Sequence, residues 1–82
     1  MSLDKFLKIS RIIVRRMVAN EACDGGRVSV NKKVAKASQS VKPRDIVEIR
    51  FSGKVLKIEI LEIREHASKE DALRMYREVS EI

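Results

Sequence analysis

Scarcity narrows this chain first. Its 82 residues include one cysteine, one histidine, one proline, three glycines, no tryptophan and only three aromatic residues. A lone thiol, Cys23, closes no internal disulfide, which fits a reducing cytoplasm. No apolar run approaches the roughly eighteen residues that a membrane-spanning helix needs. Asp4 and the alternating charges around it break the apolar stretch that a signal peptide requires. A metal centre needs three or four converging ligands, and no His/Cys spacing supplies them. Catalysis finds as little to use. His66 stands beside Ala67-Ser68 at an expected loop, where a histidine is structural or solvated. Glu59, Glu62 and Glu65 read as solubilising strand glutamates, and Gly25-Gly26 lacks the pattern of a phosphate loop. The chain reads as a single-domain non-enzyme without a cofactor.

What is abundant is charge. Charged residues make up 37% of the chain and hydrophobic ones 44%, and the net charge is +6. The excess is uneven. Residues 1–44 carry eleven basic and three acidic side chains, a balance of +8, whereas residues 45–82 carry seven and nine, a balance of −2. A solvated face explains the second half. The concentrated excess in the first half points to a polyanion, RNA above all.

Periodicity places these charges on elements. Leu3, Phe6, Leu7 and Ile9 recur at helical spacing, so residues 3–9 are predicted as a helix with Lys5 and Lys8 outward. Ser10-Arg11 forms a joint, and Ile12-Ile13-Val14 packs as a connector. A second helix is predicted from Arg15 to Cys23, with Val18, Ala19, Ala22 and Cys23 inward, ending at Asp24-Gly25-Gly26. Val28 and Val30 mark a strand, Asn31-Lys32-Lys33 a turn, and Val34 a short return segment. Residues 36–43 read as loop anchored by Val41. Val47, Ile49 and Phe51 alternate with Glu48 and Arg50 in a half-buried strand. Ser52-Gly53 closes a hairpin into Leu56, Ile58 and Ile60. Leu61 and Ile63 fall on the opposite phase, which calls for a bulge or bend near Ile60-Leu61. Ser68 and Asp71 resemble a capping box, followed by a helix over 68–82 with Ala72, Met75, Tyr76 and Val79 inward and Glu81 outside. The expected architecture is α+β: two N-terminal helices on a small, mostly antiparallel sheet, plus a C-terminal helix. Residues 3–51 precede a sheet extension at 52–67 and the helix at 68–82.

The basic residues are organised along this frame. Lys5, Lys8 and Arg11 come from the first helix and joint. Arg15 and Arg16 open the second helix, where free backbone N–H groups favour a phosphate. Arg27 follows the glycines, and Lys32, Lys33 and Lys36 cluster around the turn. Packing of the helices on the strand would let these converge on one surface. Aromatics select the kind of polyanion: Phe6, Phe51 and Tyr76 all fall on expected core faces, leaving no ring as a stacking platform for single strands. Structured RNA read through phosphates and shape fits better. DNA fits less well, since the second helix offers only Asn20 and Glu21 for base edges. A lipid surface approached through Phe6, Leu7 and Ile9 ranks last, because the core needs those residues.

The order of motifs resembles the S-four RNA-binding domain. Leu3-Asp4-Lys5-Phe6-Leu7-Lys8, Ser10-Arg11, Arg15-Arg16, Gly26-Arg27-Val28, Val30-Asn31, Lys36-Ala37-Ser38, Val41-Lys42-Pro43 and Asp45 carry the resemblance over residues 3–51. No catalytic domain accompanies them, so the chain is similar to the small stand-alone bacterial proteins related to the ribosome-associated heat-shock S-four protein. Its length and its Lys69-to-Ile82 tail look most like the branch that acts in ribosome-associated quality control. The resemblance implies binding to tRNA and large-subunit rRNA on obstructed large ribosomal subunits, beside a factor that adds C-terminal alanine tails. It implies a cytoplasmic protein, monomeric off the ribosome and without a membrane partner. The alternatives are heat-shock-type binding to free large subunits carrying nascent chains, and a generic rRNA-binding or RNA-modification accessory role. By position, Arg11, Arg15 and Arg16 become the leading RNA contacts, with Lys5, Lys8, Arg27 and Lys36 in support. Asp4 and Asp45 read as structural. Three residues depart from the pattern. Ser2 stands where the family commonly has arginine, removing one contact, and Met-Ser-Leu is also a common engineered start. Lys32 and Arg44 replace glycines, adding charge and losing turn preference.

Overall fold

The computed structural model describes residues 1–79. Helix α1 spans Leu3–Ile9, as the spacing predicts, and buries Leu3, Phe6 and Leu7 completely. It stops at Ser10, whose N–H donates to Phe6 O and whose hydroxyl donates to Leu7 O. Arg11 then takes a left-handed backbone, φ 63°, and turns the chain. Of the expected apolar connector only Ile13 is buried; Ile12 is half-buried and Val14 is 67% exposed. Helix α2 spans Arg16–Asp24, one residue later than predicted at each end. Its inner stripe is Ala19, Ala22 and Cys23. Small side chains let α1 approach closely, and Val18, expected inward, lies at the stripe's edge and is 47% exposed.

Five strands follow in one antiparallel sheet: β1 Val28–Val30, β2 Lys33–Val34, β3 Ile46–Phe51, β4 Lys54–Ile60 and β5 Tyr76–Glu78, in the order β2-β1-β3-β4-β5. Alternation sends Val28, Val30, Val47, Ile49, Ile58 and Ile60 into a core shared with α1 and α2. Asp45, buried ahead of β3, accepts hydrogen bonds from Asn31 Nδ2, Lys42 N and Lys42 Nζ, while Ile46 N donates to Asn31 Oδ1. The β1–β2 turn, the loop before β3 and β3 itself are thereby tied together. Burial pushes the Asp45 carboxyl up, but these hydrogen bonds and the Lys42 charge outweigh it and leave its pKa below the ordinary value.

Two expectations need correction. Phe51 is 39% exposed rather than core. It keeps the inward alternation of Val47 and Ile49, but the hairpin tip is exposed on both faces, at Ser52, Gly53, Lys54 and Val55 alike. The C-terminal helix shrinks to one turn, α3 Lys69–Ala72, and its continuation is strand β5. Ser68 caps α3 as expected, its hydroxyl accepting from Asp71 N. Beyond it the spacing of Ala72 and Met75 suits either path, and the free edge of β4 decides. Pairing Tyr76 with Ile60 and Glu78 with Ile58 satisfies backbone groups that an open edge would leave to water. Residues 80–82 of the expected helix, Glu81 among them, lie outside the described residues. The phase change after Ile60 has a concrete form: Leu61 N and Glu62 N both donate to Met75 O, so two residues face one.

The two missing glycines leave their mark on the backbone. Lys32 (φ 71°) and Arg44 (φ 80°) hold the left-handed conformation that glycine adopts freely. Relief of that strain exceeds the entropy glycine adds to the unfolded chain, a net of about 0.5–1 kcal/mol per site. Lys32→Gly with Arg44→Gly is expected to raise Tm by roughly 5–10 °C in a calorimetric scan; an unchanged or lower Tm refutes the strain assignment.

Candidate nucleic-acid interface

The joint between the helices and the segment after β4 enclose a cleft of about 530 Å³. One wall is α1, the joint after it and the start of α2: Lys5, Lys8, Ile9, Arg11, Val14 and Arg16. The other is Glu65, His66 and Ala67. Four cations therefore share a concave surface. Helical spacing aligns Lys5 and Lys8, three apart on α1, and the left-handed turn at Arg11 carries that side chain round to the same hollow. Lys8 and Arg11 have no intramolecular ionic partner among the described residues. Lys5 meets Glu65 at 2.6 Å across the cleft, and this bond with the Lys5 charge holds the Glu65 carboxyl below its ordinary pKa.

Arg16 is held differently. Its Nε donates to Asp4 Oδ2 at 3.3 Å, and Asp4 also accepts from Ser2 Oγ, Lys5 N and Asn20 Nδ2. Burial pushes the Asp4 carboxyl up, while the bonds from Ser2, Asn20 and Arg16 and the Arg16 charge pull it lower still, so its pKa ends below the ordinary value. Cys23 is buried, and desolvation, with Asp4 and Asp24 nearby, pushes its thiol up to about 11. It is a protonated core residue rather than a nucleophile.

The other anticipated basic residues do not line this cleft. Arg15 is exposed as the residue preceding α2, without a side-chain cap of its own. Arg27 stands at the start of β1, where its carbonyl accepts from Arg50 N. Lys32 and Lys33 lie past the other end of that three-residue strand, about 10 Å along, and Lys36 follows β2. All are exposed. Sequence reasoning missed the opposite wall: Glu65, His66 and Ala67 reach the cleft only because the chain leaves β4 towards α1, a long-range placement with no local signal. Among the described residues no cluster of three metal-ligating side chains occurs, and no helix is long and apolar enough to cross a membrane.

This α+β arrangement, with its basic helical face, matches the S4 domain model over residues 1–47, and the chain belongs to that family. Its relatives are more specific. It is 52% identical over 81 residues to the RQC P-site tRNA stabilizing factor of Streptococcus pneumoniae, covering 99% of this chain and 92% of that one. Against the Bacillus subtilis protein of the same name the identity is 47% over 76 residues, covering 93% and 88%. The fold is similar to that of trimeric Heat Shock Protein 15 from Vibrio cholerae, with a TM-score of 0.89 at 30% identity, covering 98% of this chain and 82% of that one.

Proposed function

We propose that this protein is a non-enzymatic RNA-binding factor that holds P-site tRNA on obstructed large ribosomal subunits. It contacts tRNA and large-subunit rRNA through its basic face and supports a tailing factor that adds C-terminal alanine to the stalled chain. It works in the cytoplasm and is a monomer off the ribosome. The carrying observation is the cleft, where Lys8 and Arg11 stand unpaired among the described residues beside Lys5 and Arg16. Cations held on a concave surface suit two phosphate backbones brought close together, and the relatives' shared name supplies the tRNA. Arg15, Arg27, Lys32, Lys33 and Lys36 extend the contact beyond the cleft.

Neutralising about four phosphates in the cleft alone gives log affinity against log salt a slope of roughly −3 to −4, which contacts by the outer cations make steeper. Titration of tRNA across a salt series is expected to return a slope at least that steep; a value near zero overturns RNA binding by this surface. The second reading we weigh is binding to free large subunits that carry nascent chains; the protein shares its fold with Heat Shock Protein 15. Tail lengths on stalled chains separate the two. Loss of the protein shortens the tails under the first reading and leaves them unchanged under the second.

A further inference from the structure

Arg16 is the one cation of the cleft gripped by a buried carboxylate. The Asp4 side chain is 8% exposed and that of Arg16 52%. The two Asp4 oxygens divide their work. Oδ1 takes Ser2 Oγ and Lys5 N, both at 2.8 Å, fixing the carboxylate to the start of α1. Oδ2 takes Arg16 Nε at 3.3 Å and Asn20 Nδ2 at 3.4 Å, both from α2. With Nε engaged, the two terminal guanidinium nitrogens have no partner among the described residues. Arg16 also forms part of a second hollow, about 220 Å³, that contains Asp4, Asn20 and Ser2. Its side chain thus stands between the two hollows, with Asp4 on one side and the basic cleft on the other.

We propose that Asp4 is a positioning residue for RNA binding: it holds Arg16 through Nε so that the terminal fork is presented, already ordered, to a phosphate in the cleft. This rests on the reading of the cleft as an RNA site. A free arginine stem loses much rotamer freedom when it grips a ligand, and a stem already held loses less. The fork itself suits bidentate contact with phosphate oxygens.

The proposal makes a prediction opposite in sign to simple electrostatics. Asp4→Asn raises the net charge from +6 to +7, so an unstructured charge effect tightens RNA binding. Positioning by Asp4 instead requires weaker binding. Fluorescence anisotropy with tRNA at fixed salt is expected to show Asp4→Asn binding about 3- to 10-fold more weakly than the natural chain. In an Arg16→Ala background the same change is expected to have no weakening effect, because the residue through which Asp4 acts is gone. Tighter or unchanged binding by Asp4→Asn overturns the proposal, as does an equal loss in both backgrounds, which marks a merely structural role. Arg16→Lys provides an independent check that leaves Asp4 in place. It keeps the charge but lacks an Nε to be held and a fork to present, and is expected to bind as weakly as Asp4→Asn. Binding by Arg16→Lys at the natural strength also overturns the proposal. If the natural chain itself shows no salt-dependent tRNA binding, it is the RNA reading that fails.

Discussion

Reversing both unpaired cations of the cleft, Lys8→Glu with Arg11→Glu, is expected to weaken RNA binding about a thousandfold while leaving the fold intact. Each side chain offers a charge-assisted contact of roughly 1.5–3 kcal/mol to a phosphate, and reversal adds repulsion to the loss. Two such changes amount to about 4 kcal/mol or more, which is three decades in affinity. Stability should hardly move. Both residues are exposed and neither bonds to another side chain among the described residues, so each change falls within about 0.5 kcal/mol, as for surface positions generally. Filter binding with tRNA and a circular-dichroism melt measure the two quantities separately. A binding loss below tenfold would remove the cleft from the interface; a collapsed melt would show that these cations stabilise the fold.

Met75→Ala is expected to produce a large loss of stability. Met75 is completely buried, and its carbonyl receives both Leu61 N and Glu62 N. Truncating a buried methionine costs about 2–5 kcal/mol. At about 0.05–0.15 kcal/mol per residue, a chain of this length holds only about 4–12 kcal/mol in total. A fall in Tm of at least 10 °C should follow. Leu73→Ala, only two positions away but 69% exposed, should change Tm by no more than a few degrees. Equal effects at the two positions would contradict the packing of this segment against the sheet.

Sequence periodicity revealed most of the frame because most of it is locally encoded. The buried stripe Leu3-Phe6-Leu7, the alternation Val47-Ile49 and the Ser68 cap each follow from residues within one turn or one strand of each other. The errors share a different cause. Ala72 and Met75 satisfy a longer helix as well as a single turn leading into a strand, and only the vacant edge of β4 separates these outcomes. Phe51 keeps the inward phase but lies where the hairpin has outrun the helices that would cover it. The cleft divides in the same way. Lys5, Lys8, Arg11 and Arg16 were legible as a charge cluster because they sit on one short helix, the joint after it and the first residue of the next helix. Glu65 and His66 were not, since their place depends on where the chain goes after β4. Arg44 and Arg50 also stand exposed without an ionic partner among the described residues, and a charge count alone could not separate them from the cations that pair internally, such as Arg77 with Glu59.

The contact between Lys5 and Glu65 joins positions sixty apart in the chain. During synthesis the basic half is made first, and at that stage its charge has neither the opposite wall nor most of the acidic residues that later accompany it. The cleft therefore matures late, after β4 has paired and the chain has turned back towards α1, because contacts of high sequence separation form only once the intervening loop is closed. A partly made copy emerging from a ribosome carries the basic charge without the concave surface that later gathers it. Charge precedes shape in the life of each molecule.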